Sequence, residues 1–226
     1  PYARQDKKHL GREPISARLM ADLFSAAGAD RIMAVDLHAA QIQGFFNGPL
    51  DHLTGLPVLA DYVEKKYSGQ DMVVVSPDAG RVRLADQWSD RLHIPLAIIH
   101  KRHDPTVANQ VKVHEVVGDV AGRICLIVDD MVDTAGTICQ AANALLEHGA
   151  RGVLCAATHP ILSDPAAERL NAMPFEEIIF TNTLPIPAHI RIPKLTVLSI
   201  APLLAQAIHE VFEDGSVASL FNGSAC

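Results

Sequence analysis

The stretch 124-ICLIVDDMVDTAGTICQAA-142 sets five apolar residues directly before two adjacent aspartates, a third aspartate, a Thr-Ala-Gly-Thr turn and an apolar segment of helical character. A continuous apolar run suits a strand buried on both faces. Three carboxylates within five positions repel one another unless a metal ion or a ring of hydroxyl groups lies between them. The backbone amides of 134-TAGT-137, at a helix N-terminus, offer N–H donors and the positive end of the helix dipole. Together these make a phosphate cradle.

The same step from strand to polar cluster recurs along the chain. Apolar runs 32-IMAV-35, 72-MVVV-75, 96-LAII-99, 153-VLCAA-157 and 178-IIF-180 lead into Asp36-Leu37-His38, Ser76-Pro77-Asp78, His100-Lys101-Arg102-His103, Thr158-His159 and Thr181-Asn182-Thr183, and 195-LTVLSI-200 is a further run. Between them, 14-PISARLMADLFSAAG-28 and 136-GTICQAANALLEHG-149 read as helices that stop at Gly28 and Gly149. Strand, loop and helix in alternation predict an α/β architecture with a largely parallel sheet, whose ligands bind beyond the carboxyl ends of the strands. Residues 47-NGPLDHLTGLP-57 lack periodicity and read as a junction between two units, and a last helix is expected near 201–215.

A chain of 226 residues, nearly half of them hydrophobic, has material for well-buried cores. Its net charge of -7 excludes binding nucleic acid through a broad basic face, though not binding a small phosphorylated ligand. Cys125, Cys139, Cys155 and Cys226 form no C-x-x-C pair and read as reduced residues of a cytoplasmic protein. No apolar stretch reaches the ~18 residues of a membrane span, and no secretory signal is visible.

A phosphate cradle beside Asp129 and Asp130, which accept hydrogen bonds from vicinal hydroxyls, describes a site for ribose 5-phosphate. The spacing of an EF-hand is absent, as is G-x-x-x-x-G-K-[ST]. The segment 126-LIVDDMVDTAGT-137 resembles the phosphoribosyl pyrophosphate motif of the type I phosphoribosyltransferase fold. That leaves a transferase that consumes phosphoribosyl pyrophosphate or the synthetase that makes it. The stretches 2-YARQDKK-8, 35-VDLHAAQIQGFF-46, 74-VVSPDAG-80, 118-GDVAGR-123, 181-TNTLP-185 and 215-GSVASLF-221 resemble the ribose-phosphate pyrophosphokinase family.

The resemblance implies two tandem phosphoribosyltransferase-like domains with mostly parallel sheets. Residues 1–54 with the tail 206–226 would form a truncated first domain, and 55–205 the complete second. It implies transfer of the diphosphoryl group of ATP to the C1 hydroxyl of ribose 5-phosphate, with Mg2+ as cofactor and a homo-oligomer, a hexamer in the family, completing the sites. Asp129 and Asp130 would face the ribose hydroxyls, and Asp133, Thr134, Ala135, Gly136 and Thr137 the 5-phosphate. Asp78, Ala79, Gly80 and Arg81 would form the diphosphate loop, with Asp78 and His38 on the metal. Arg4, Gln5 and His38 would contact ATP. Lys101 would open a catalytic loop over 100–113, with Arg102 and His103 beside it.

Three positions depart from the family pattern. His103 stands where the family has a second catalytic arginine, Ala135 where glycine is frequent, and Arg81 where a glycine is common. The chain also starts well inside the family's usual beginning. Two other readings compete with the synthetase. A phosphoribosyltransferase would explain the ribose-phosphate motif but not D-L-H-x-x-Q-I-Q-G-F-F, and a non-catalytic regulatory relative is favoured by His103 alone.

Overall fold

The computed structural model describes residues 2–8, 11–103 and 112–221, with only the backbone described at 101–103 and 112–114. The chain divides into two compact units, Pro1–Gly55 with Pro202–Cys226, and Leu56–Ala201.

In the first unit a short 3-10 turn (Tyr2–Arg4) precedes helix α1 (Ser16–Ala26), which is followed by the parallel pair β1 (Ile32–Val35) and β2 (Leu50–Leu53). Gly28 ends α1 as the sequence suggests: at φ +90 it supports bonds from its own N–H to Ser25 and from the Ala29 N–H to Phe24, the paired carbonyl bonds that close a helix through a left-handed residue. Strand β2 lies inside the stretch 47–57 that reads as a structureless junction. Its sequence Leu-Asp-His-Leu is half polar, and the parallel partner β1 supplies the pairing that no local pattern announces.

The second unit holds α2 (Leu56–Lys66), β3 (Met72–Ser76), α3 (Val82–Leu92), β4 (Leu96–His103), β5 (Lys112–Val117), β6 (Ile124–Val132), α4 (Gly136–Glu147), β7 (Gly152–Pro160), α5 (Ala166–Ala172), β8 (Glu177–Thr181) and β9 (Leu195–Leu198). The strands form one sheet in the order β5-β4-β3-β6-β7-β8-β9, parallel throughout except for β5 against β4. Successive side chains of a strand point to opposite faces. Here odd-numbered residues (Val73, Val75, Cys125, Ile127, Val153, Cys155) and, on β8, Ile178 and Phe180 pack with Ile138, Leu145 and Leu170 of α4 and α5. The alternate ones (Val74, Leu126, Val128, Leu154, Ile179) pack with Leu59, Val63, Ala85 and Trp88 of α2 and α3. Both faces are covered, which is why the strands read as unbroken apolar runs; each fully buried Leu, Ile or Val contributes about 1.5–3 kcal/mol.

Gly149, at φ +85, closes α4 in the same way as Gly28 closes α1, with bonds from its own N–H to Leu146 and from Ala150 to Leu145. Both ends of the expected catalytic loop over 100–113 are strand. β4 continues through Lys101–His103 because it finds an antiparallel partner, pairing His103 with Lys112 in β5, and residues 104–111 lie outside the described ones. Helix α6 (Ala201–Phe212) belongs to the first unit from Pro202 on, where Leu203, Leu204 and Ala207 join Met33, Val35, Leu53 and Phe221 in its core.

Cys125, Cys139 and Cys155 are buried and free, and burial pushes the Cys125 thiol up to about 12; Cys226 lies outside the described residues. Among these residues, no helix is long and apolar enough to cross a membrane.

Candidate active site

In the second unit, strands β3, β6, β7 and β8 are parallel, so their carboxyl ends share one edge of the sheet. Asp129 and Asp130 sit near the end of β6, Asp130 almost wholly buried. Arg81, in the loop after β3, bridges the two carboxylates, with Nε 2.9 Å from Asp129 and Nη2 3.1 Å from Asp130. Burial raises the pKa of Asp129 above the usual carboxylate range, and hydrogen bonding and charge from Asp130 add to the rise; the Arg81 charge opposes it. The Arg81 charge offsets the crowding of two acids.

Asp133 and Thr134 lead from β6 to α4, whose first helical residue is Gly136. Ala135 occupies the left-handed region at φ 59, a geometry that favours glycine. The turn leaves the first amides of α4 without partners inside the helix, as every helix start does. Arg169 of α5 donates to the Thr134 carbonyl at 2.9 Å and so braces the turn. No local pattern marks Arg169 in the sequence, since the contact spans 35 positions.

The loop 78–81 is shaped by its own hydrogen bonds. The Asp78 carboxylate accepts from the Gly80 N–H at 2.8 Å, and the Ser76 hydroxyl donates to the Asp78 carbonyl at 2.7 Å. The structure thus brings Asp78–Arg81, Asp129, Asp130 and the 133–137 turn together at one edge. Next to them, Thr181 and Thr183 both donate to the Thr158 carbonyl, and Thr183 pairs with the His159 ring at 2.9 Å. The backbone of Lys101, Arg102 and His103 lies in β4, paired with His114, Val113 and Lys112; their side chains lie outside the described atoms.

The first unit gathers the other sequence-predicted residues. Arg4 ends a short 3-10 turn and is exposed, and the Gln5 side-chain oxygen accepts from the Ser16 hydroxyl at 2.6 Å. Gln41 donates to the buried Asp6 carboxylate, tying the 2–8 segment to the 3-10 helix Ala40–Phe45. His38 lies in the turn after β1. The turn is held by bonds from the Asp36 N–H to Leu53, from the Leu37 N–H to His52, and from the Gly55 N–H to the Asp36 carboxylate.

A central strand that ends in an aspartate pair and a helix that opens on the Thr-Ala-Gly-Thr turn fit the class: an α/β protein of the type I phosphoribosyltransferase kind. Comparisons with known proteins narrow this. Residues 101–222 match the family described as phosphoribosyl synthetase-associated domain, and residues 1–28 the N-terminal domain of ribose phosphate pyrophosphokinase. The ribose-phosphate pyrophosphokinase of Streptomyces avermitilis is 66% identical over 221 residues, covering 98% of this chain and 68% of the relative. That of Mycobacterium tuberculosis is 61% identical over 226 residues, covering 100% and 69%. The crystal structure of phosphoribosylpyrophosphate synthetase from Mycobacterium smegmatis superposes with a TM-score of 0.88 at 58% identity, covering 95% of this chain and 70% of that one. The chain belongs to the ribose-phosphate pyrophosphokinase family.

Proposed function

We infer that the chain transfers the diphosphoryl group of ATP to the C1 hydroxyl of ribose 5-phosphate. The C1 oxygen attacks the β-phosphorus, the bond from that phosphorus to the α,β-bridging oxygen breaks, and AMP leaves with the bridging oxygen. The product is phosphoribosyl pyrophosphate. One observation carries the reading: the Asp129–Asp130 pair and the 133–137 turn at the N-terminus of α4 stand at the same sheet edge as the Asp78–Arg81 loop. Carboxylates for a diol, amides for a phosphate and a cation-bearing loop for a diphosphate are the three recognitions the reaction needs.

In this scheme Asp129 and Asp130 accept from the ribose hydroxyls, and Asp133 to Thr137 hold the 5-phosphate. Arg81 supplies charge to the diphosphate, as do Lys101, Arg102 and His103 to the transferring and leaving groups. Arg4, Gln5 and His38 contact ATP. The Asp78 carboxylate is a hard oxygen donor, oriented by the Gly80 amide, which suits magnesium. His38, in the first unit, would be a softer partner for magnesium and would serve the nucleotide oxygens as well. Bound with ATP, magnesium would neutralise phosphate charge. The family resemblance extends the reading to a homo-oligomer, and light scattering tests it.

The direct test supplies magnesium, ATP and ribose 5-phosphate and resolves the nucleotide product. AMP formed only when ribose 5-phosphate is present supports the reading. ADP as product overturns it, and binding of both substrates without turnover favours a regulatory relative.

A further inference from the structure

His52 lies outside the Asp-Leu-His signature, on β2 opposite Ala34 of β1. Its ring nevertheless reaches the centre of that signature. Nε2 is 2.8 Å from the Leu37 backbone nitrogen, and Nδ1 is 3.3 Å from the side-chain amide nitrogen of Gln43. A backbone N–H only donates, so Nε2 must carry a lone pair. A neutral imidazole has one such nitrogen, so Nδ1 carries the hydrogen. The Gln43 group placed against it is the amide nitrogen, itself a donor, so a bond from Nδ1 requires that amide turned end for end, with its oxygen accepting. Burial holds the His52 pKa below its ordinary value despite the nearby Asp36 charge, which keeps the ring in this neutral form.

The turn it grips is under strain. Asp36 has φ 43, a left-handed conformation that a non-glycine residue keeps only when its surroundings over-determine it. Leu53, Gly55 and His52 provide that over-determination, each through one hydrogen bond to residues 36 and 37. His38 is the next residue along.

We propose that His52, oriented by Gln43, is a positioning residue for nucleotide binding: its Nε2 lone pair fixes the Leu37 amide and thereby the direction in which the turn presents His38. The role rests on the functional reading above, in which His38 contacts ATP.

The test uses three proteins: the wild type, His52→Leu, which keeps bulk but loses the acceptor, and His52→Gln, whose side-chain oxygen stands near the place of Nε2. Amide hydrogen exchange reads the Leu37 N–H, 15N NMR reads the His52 tautomer, and titration calorimetry reads MgATP and ribose 5-phosphate separately. The expected result is a wild-type ring protonated at Nδ1. His52→Leu should lose Leu37 protection and bind MgATP about tenfold more weakly, as loss of one hydrogen bond to a poised conformation implies. Ribose 5-phosphate affinity should stay within about twofold, and His52→Gln should recover most of both losses. Unchanged MgATP affinity in His52→Leu overturns the proposal. So does equal weakening of both ligands, which marks a folding role only, and so does a wild-type ring protonated at Nε2. Wild-type protein that binds neither ligand overturns the underlying functional reading instead, while leaving the tautomer and Leu37 protection as measured.

Discussion

Glu177 gives a stability prediction that is separate from the chemistry. It begins β8, at the sheet edge opposite the candidate site, and its side chain is only 6% exposed. Four donors converge on it: the Tyr62 hydroxyl at 2.7 Å, the Lys66 ammonium at 2.8 Å, the Tyr67 hydroxyl at 2.7 Å, and the Thr196 hydroxyl. Burial alone would push the carboxyl up, but these bonds, led by Lys66 and Thr196, outweigh it and bring the pKa down from 4.5 to about 2. That displacement corresponds to about 3 kcal/mol of preference for the charged form in the folded state. Lys66 is half-exposed, so solvent screening trims the figure towards about 2 kcal/mol.

Replacing Glu177 with Gln removes the charge and turns an amide donor towards groups that are themselves donors. Unfolding by guanidinium, followed through the fluorescence of Trp88, the single tryptophan of the chain, should show a loss of about 2–3 kcal/mol at pH 7. A carboxyl with a depressed folded pKa stabilises fully above its unfolded value and loses that contribution as pH falls through the folded one. The gap between wild type and Glu177→Gln should therefore hold from neutral pH to about 5 and narrow between about 4.5 and 2. By about pH 3.5 it should be smaller by roughly 1 kcal/mol. A variant within about 0.5 kcal/mol of wild type at pH 7, or a gap that ignores pH, refutes the reasoning. The kcat of the folded variant should match wild type, since the cluster lies at the far edge from β6's aspartates.

Replacing Arg81 with Met leaves Asp129 and Asp130 without the charge that bridges them, so the pair protonates more readily and accepts hydroxyl bonds less well. The KM for ribose 5-phosphate should rise about tenfold at pH 7 and recover partly towards pH 9, with steady-state kinetics across that range as the check. Ala135→Gly relieves a left-handed alanine, worth about 1 kcal/mol, but loses a buried methyl of similar value. Its thermal midpoint should therefore move by less than about 3 °C in a scanning calorimeter.

What the sequence made legible follows the range over which each signal acts. β3, β6 and β7 are apolar without interruption because helices cover both faces, and that runs within a handful of adjacent residues. Gly28 and Gly149 mark helix ends through their own backbone freedom. Helix α2 carries a local signal as well, since Leu56, Leu59, Ala60 and Val63 repeat at helical spacing, but the Gly- and Pro-rich stretch that runs into its start masks it. The extension of β4 through Lys101–His103 was not legible, because polar residues become strand there only through the partner β5. Arg169 and Glu177 were invisible for a stronger reason: their partners lie 35 and up to 115 positions away.

The signature itself shows the same division between residues that face a ligand and residues that hold them. A motif such as D-L-H-x-x-Q-I-Q-G-F-F invites reading every polar position as a contact. Gln41 instead holds Asp6, and so steadies the segment that carries Arg4, while Gln43 reaches His52. Asp36 commits its carboxylate to the Gly55 amide and keeps its own strained turn closed. In the proposed reading the nucleotide contact from this stretch is His38, on a turn gripped from β2 and the residues just after it. Precision of this kind is what transfer chemistry by positioning requires, since a reacting group displaced by about 1 Å loses on the order of a hundredfold in rate.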